Sequence, residues 1–121
     1  MRTRCLRVLL ELPDCPDEMA TLRLANQIIA RLTAASAGES ILLHGEGASA
    51  WPLLRHALYL GLDTRVGLED TLHLPDGRCA RDNAVLVAHA PREARPAPAQ
   101  DHASRSWEHA AGSHRPPPDL R

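Results

Sequence analysis

The chain has 121 residues, enough for one small domain and not for two. Fourteen arginines and no lysine stand against 15 acidic residues, leaving a net charge of -1. That balance excludes a dedicated polyanion-binding surface, a lysine Schiff base and a lysine-dependent phosphate loop. Two Trp, one Tyr and no Phe are too few for a platform that stacks single-stranded nucleic acid. Cys5, Cys15 and Cys79 form no CxxC pair and suggest neither a disulfide framework nor a zinc ribbon. No apolar run approaches the ~20 residues that span a bilayer, and no signal-type stretch follows Arg2 and Arg4. A soluble cytoplasmic chain with no nucleic-acid or membrane partner is expected.

The first predicted unit is a strand over Arg7–Leu12, then the turn Pro13-Asp14-Cys15-Pro16-Asp17. Asp14 is the expected cap of a helix in which Pro16 falls early, where its missing N–H costs little. Met19, Leu22, Ala25, Ile28, Ile29 and Leu32 recur at helical spacing and define its buried face, with Gly38 as the stop.

The second unit runs Ser40-Ile41-Leu42-Leu43 into His44-Gly45-Glu46-Gly47. Ser49 is the expected cap of a helix that opens at Trp51-Pro52 and continues through Leu54, Ala57 and Leu58 to Gly61. The third unit is a strand over Asp63–Leu68, then Glu69-Asp70 and a long polar turn containing Pro75-Asp76-Gly77. Asp82 caps a last helix carrying Ala84, Val85, Leu86 and Ala88, which Pro91 ends.

Residues 91–121 hold six of the ten prolines and three of the seven histidines, with Trp107 and Leu120 the two sizeable apolar side chains. Such a stretch buries too little to offset its ordering entropy, so a disordered tail is expected. His102, His109 and His114 fit no helical pair of metal ligands.

Residues 1–90 thus predict an α/β architecture of three βα units with parallel strands. A closed (β/α)8 barrel takes about 250 residues, so three units make part of one. Ligands in such sheets gather beyond the carboxyl ends of the strands. Here those ends carry Glu11 and Asp14, then His44 and Glu46, then Glu69 and Asp70. Polar turns and helix caps account for the same placement without a ligand.

His44 is either a metal ligand, a donor to a substrate oxygen, or a hydrogen-bonded strand end. The Gly45–Ser49 turn offers backbone amides to an anion, although Glu46 repels one. On an extended strand Arg65, Gly67 and Glu69 share a face, with Gly67 leaving space between the side chains. Arg65 beside two successive carboxylates supplies a metal ligand, a carboxylate for proton handling and a cation to hold it; a structural ion pair is the alternative.

The stretch His44-Gly45-Glu46-Gly47-Ala48-Ser49-Ala50-Trp51-Pro52, then Asp63-Thr64-Arg65-Val66-Gly67-Leu68-Glu69-Asp70 and Leu74-Pro75-Asp76-Gly77, closely resembles the β-keto acid cleavage enzymes. This is the family of the 3-keto-5-aminohexanoate cleavage enzyme. Arg81-Asp82-Asn83-Ala84 continues the likeness, which runs from about Arg7 to Ala90 and covers the C-terminal part of the family's chain.

The resemblance implies a zinc-binding (β/α)8 barrel, of which this chain is about the last three units. It implies acyl transfer from a β-keto acid to the coenzyme A of acetyl-CoA, with release of acetoacetate. Glu69 is then the zinc ligand, and Arg65 with Asp70 the catalytic pair. The family's two histidine ligands belong to an N-terminal half with no counterpart in this sequence. The chain is therefore expected to be inactive alone. The competing expectation is a non-catalytic half-barrel that docks with a complementary chain or self-associates through its exposed edges.

Overall fold

Arg7–Leu12 (β1) and Ser40–Gly45 (β2) are short apolar runs that pair in parallel. The computed structural model describes residues 5–35 and 38–94. The pairing sets Leu10 opposite Leu43 and Glu11 opposite His44. A parallel return needs a crossover, and Glu18–Ala35 (α1) supplies it.

The helix starts where Asp17 Oδ1 accepts the Ala20 N–H at 3.0 Å. The cap is therefore Asp17 and not Asp14: Ala20 is the third helical residue, the amide a capping side chain reaches, and Asp14 instead accepts the Ala48 N–H. Thr21 and Ala25 are buried along α1, with Leu22, Ile28, Ile29 and Leu32 packed beside them. Met19, expected on that face, is exposed.

A 3-10 turn, Gly47–Ser49, leads into Ala50–Leu60 (α2). This helix buries two faces. Leu53 and Ala57 join Leu10, Leu12, Ala25, Ile41 and Leu43 in a core between helices and sheet. Trp51 and Leu54 join Leu74 and Leu86 in a second core. Gly61, in the left-handed region at φ 70°, ends α2.

The third strand is not formed. Asp63 makes one parallel bridge to Leu42, with Leu43 N–H donating to its carbonyl at 2.9 Å. Thr64 Oγ1 then donates to the Leu43 carbonyl at 2.8 Å. That bond occupies the acceptor that continued pairing uses. The chain leaves the sheet, and Val66 and Leu68 pack into the second core instead. The described architecture is a two-stranded parallel sheet with three helices.

Asn83–His89 (α3) starts as expected, with Asp82 Oδ1 accepting the Val85 N–H at 2.9 Å. Leu86 is its fully buried residue; Ala84 and Ala88 are exposed. A 3-10 turn, Ala90–Glu93, follows and is held by Arg55 Nη1 to Glu93 Oε2 at 2.8 Å. The tail boundary expected at Pro91 therefore falls inside a described turn. The rest of the expected tail, residues 95–121, lies outside the described residues. Among the described residues no helix is long and apolar enough to cross a membrane.

Leu53 sits where both strands and α1 converge and is fully buried. Leu53→Ala is expected to lower unfolding free energy by about 2–5 kcal/mol. Met19→Ala, at an exposed position, should change it by less than about 0.5 kcal/mol. Urea denaturation of the two variants checks the difference.

Candidate functional site

The side chains of Leu10, Leu12, Ile41 and Leu43 face α1 and α2. By strand alternation Leu9, Glu11, Leu42 and His44 occupy the opposite face. Glu11 and His44 lie at its carboxyl end, and the 64–71 segment brings Asp70 against them. His44 is 1% exposed, with Nδ1 3.4 Å from Asp70 Oδ1 and Nε2 3.7 Å from Glu11 Oε2. Neither ring nitrogen has an aligned hydrogen-bond partner, and Asp70 Oδ2 has none either.

Asp70 sits in a turn, not on a strand: its N–H donates to the Gly67 carbonyl at 2.9 Å, and that of Thr71 to the same oxygen at 3.1 Å. Its own carbonyl accepts the Gly47 N–H at 2.7 Å. Its side chain is 2% exposed and takes a 3.3 Å hydrogen bond from Arg65 Nη2. That bond is the chief reason the Arg65 guanidinium is held above its ordinary pKa. Removing a carboxylate from water costs several kcal/mol unless a cation and donors compensate. Arg65 supplies both.

Glu69 is 61% exposed and lies 3.9 Å from Arg65 Nη2. The structure thus brings Arg65, Glu69 and Asp70 together, through a turn in place of the expected strand alternation. Gly67 does not leave open space: a side chain there would meet the Glu69 carboxylate, which folds back over it. Glu69 and Asp70 border an open cavity of about 840 Å³, lined also by Gly47, Trp51, Leu68 and His73. Trp51 Nε1 donates to the His73 carbonyl at 2.8 Å and fixes one wall.

The Gly45–Ser49 turn differs from expectation. Its amides are occupied within the chain: Ala48 N–H donates to Asp14 Oδ1 at 2.8 Å, and Gly47 N–H to Asp70. Gly47 has φ 55°, and any Cβ there would strike the Asp14 carboxylate. An anion site is therefore already filled by Asp14. Ser49 makes no side-chain cap. Its hydroxyl donates to the Pro13 carbonyl at 2.8 Å and accepts the Cys15 N–H at 3.1 Å. Sequence reasoning missed these ties because the partners lie 34 to 36 positions apart. The proximity of Glu11 raises the Glu46 carboxyl above its ordinary value, first through a hydrogen bond between the two side chains and then through charge repulsion.

A parallel βα layer whose strand ends gather carboxylates, a buried imidazole and an arginine belongs to the α/β proteins that place their sites at the carboxyl edge of the sheet. The family model described as beta-keto acid cleavage enzyme matches residues 9–100, and the chain belongs to that family. The match spans both cores and all of the residues just described. Comparison with curated proteins and with solved structures finds no match.

The family implies a zinc ion, and a catalytic zinc takes three protein ligands. Among the described residues no three His, Cys, Asp or Glu are grouped to hold one. These residues alone do not fit the ion.

Glu46 favours the folded state most when protonated. Its contribution is present below the ordinary carboxylate range and lost as pH rises through the raised value. In Glu11→Gln the repulsion is gone, so the Glu46 carboxyl ¹³C titration should move down toward the ordinary range. An unmoved midpoint contradicts the pairing.

Proposed function

We propose that this chain forms the C-terminal part of a zinc-dependent β-keto acid cleavage enzyme, which converts a β-keto acid and acetyl-CoA to acetoacetate and an acyl-CoA. The observation that carries this is the buried Asp70 carboxylate held by Arg65 at 3.3 Å, beyond the strand ends and beside a cavity, inside the family match. Asp70 handles the substrate proton. The guanidinium has five N–H donors and spends one on Asp70, leaving others for the substrate's oxygens.

Glu69 would give a zinc ion one ligand, with the others supplied by the N-terminal half of the barrel that the family resemblance implies. A bound zinc supplies Lewis-acid polarisation of a carbonyl. What supports a partial (β/α)8 barrel is the outer edge of β1, which has no strand partner among the described residues. In this reading the barrel part extends through the Ala90–Glu93 turn that Arg55 holds, and the appended tail begins after it. Three unpaired thiols accord with a reducing, cytoplasmic setting.

The full chain alone is expected to bind zinc weakly and to form no acyl-CoA from acetyl-CoA and a panel of β-keto acids, read by mass spectrometry. Co-folding with the N-terminal half of a family member should bring turnover that Glu69→Ala and Asp70→Asn abolish. Turnover by the chain alone would overturn its incompleteness. No turnover from a folded assembly would overturn the enzymatic reading.

A second reading, a non-catalytic half-barrel that docks on a complementary chain or on itself, is favoured by Leu9. This residue is 55% exposed on the sheet face away from the helices. Light scattering after size exclusion should then show concentration-dependent association. A monomer at every concentration counts against it.

A further inference from the structure

His44 is a fully buried imidazole for which the proposed chemistry has no use. It is not one of the matched motif residues Arg65, Glu69 and Asp70, and it is not a core residue in the ordinary sense. Its two nitrogens are turned toward carboxylates, Asp70 Oδ1 at 3.4 Å and Glu11 Oε2 at 3.7 Å, without a hydrogen bond closed to either. A buried polar ring without partners destabilises the fold, and packing alone does not call for one. Hydrogen bonds in unliganded sites are often long and tighten when substrate arrives.

Asp70 shows the complementary asymmetry. Its Oδ1 faces both Arg65 Nη2 at 3.3 Å and His44 Nδ1 at 3.4 Å, while its buried Oδ2 has no partner. The main chain of Asp70 is fixed at both ends of the residue, through Gly67 and Gly47. Rotation about the side-chain bonds is the freedom left, and a second donor beside Arg65 on the same oxygen would remove it.

We propose that His44 is a positioning residue for Asp70: Nδ1–H and Arg65 together hold Oδ1, leaving Oδ2 as the oxygen that meets the substrate. The role in turnover rests on the enzymatic reading above; the geometry does not.

The test starts with the unmodified full chain. Long-range ¹H–¹⁵N spectra of histidine-labelled protein should show a proton on His44 Nδ1, and its signal should move in Asp70→Asn. An Nδ1 without a proton overturns the proposal, and this measurement needs neither turnover nor a foldable His44 variant. The second measurement follows the Asp70 carboxyl ¹³C signal. His44→Gln places an amide nearer the Nε2 position and should shift that signal; His44→Asn places one near Nδ1 and should restore it. An Asp70 signal identical in His44→Gln and the unmodified chain overturns the proposal.

In the co-folded assembly, His44→Gln should lower kcat about a hundredfold with KM nearly unchanged, and His44→Asn should recover most of the loss. Equal kcat in an active His44→Gln assembly overturns the role. An assembly inactive with His44 intact counts against the enzymatic reading only, since the spectra decide the geometry separately.

Discussion

The hydrogen bond from Gly47 N–H to the Asp70 carbonyl, 2.7 Å long, decides where the site can form. It joins the turn after β2 to the turn after the 63–68 segment, which has left the sheet after one bridge. The same short 3-10 turn is seized from its other side: Asp14 accepts from Ala48, and the Ser49 hydroxyl bonds Pro13 and Cys15. All three βα turns are thus tied at residues 47–49. Parallel register puts Glu11 beside His44, but only this clamp brings Asp70 onto the same ring. A change that loosened the turn would separate residues from three parts of the chain at once.

Around that clamp the carboxylates divide by solvation. Asp70 is buried and held by Arg65, so its charge is compensated where water is absent. Glu11 and Glu46 remain exposed to solvent, and a hydrogen bond between their side chains, followed by charge repulsion, lifts the Glu46 carboxyl. His44 lies between the two environments, facing Asp70 on one side and Glu11 on the other. Glu69 stays exposed at the cavity, near enough to Arg65 for attraction and free enough to meet a ligand.

Much of this was legible in local pattern. The runs 7–12 and 40–43 are strands, the second continuing through His44 and Gly45, which the pattern assigned to the turn; the 3.6 period marks α1 and α2, Asp82 caps α3, and Gly61 closes α2. The RVGLED stretch, residues 65–70, pointed to the family that the match over residues 9–100 shows. What local pattern could not give was competition among distant partners. Asp14 has good capping chemistry, yet the Ala48 amide claims it; Ser49 likewise serves Pro13 and Cys15. The third strand failed for a similar reason. Its apolar residues Val66 and Leu68 satisfy a strand pattern, but Trp51, Leu54, Leu74 and Leu86 offer them a core away from the sheet. The alternation argument placed Arg65 and Glu69 together for a geometry that does not exist, and a turn achieved the contact instead.

The two faces of the sheet follow different rules, and that difference bears on the proposed barrel. The helix-facing side is uniformly apolar and closed by α1 and α2. The opposite side is layered along the strand: Leu9 and Leu42 at mid-strand, Glu11 and His44 at the carboxyl end. A solvated sheet face would be polar along its length. Apolar mid-strand residues beneath a polar rim instead suit the inside of a closed barrel, where side-chain layers fill the interior and chemistry sits at the top. Covering the exposed half of Leu9 would gain about 1 kcal/mol, and pairing the outer edge of β1 would satisfy its backbone groups. Both gains arise beside Glu11 and His44, so the contacts that would close a barrel are also those that would shield the proposed site from water.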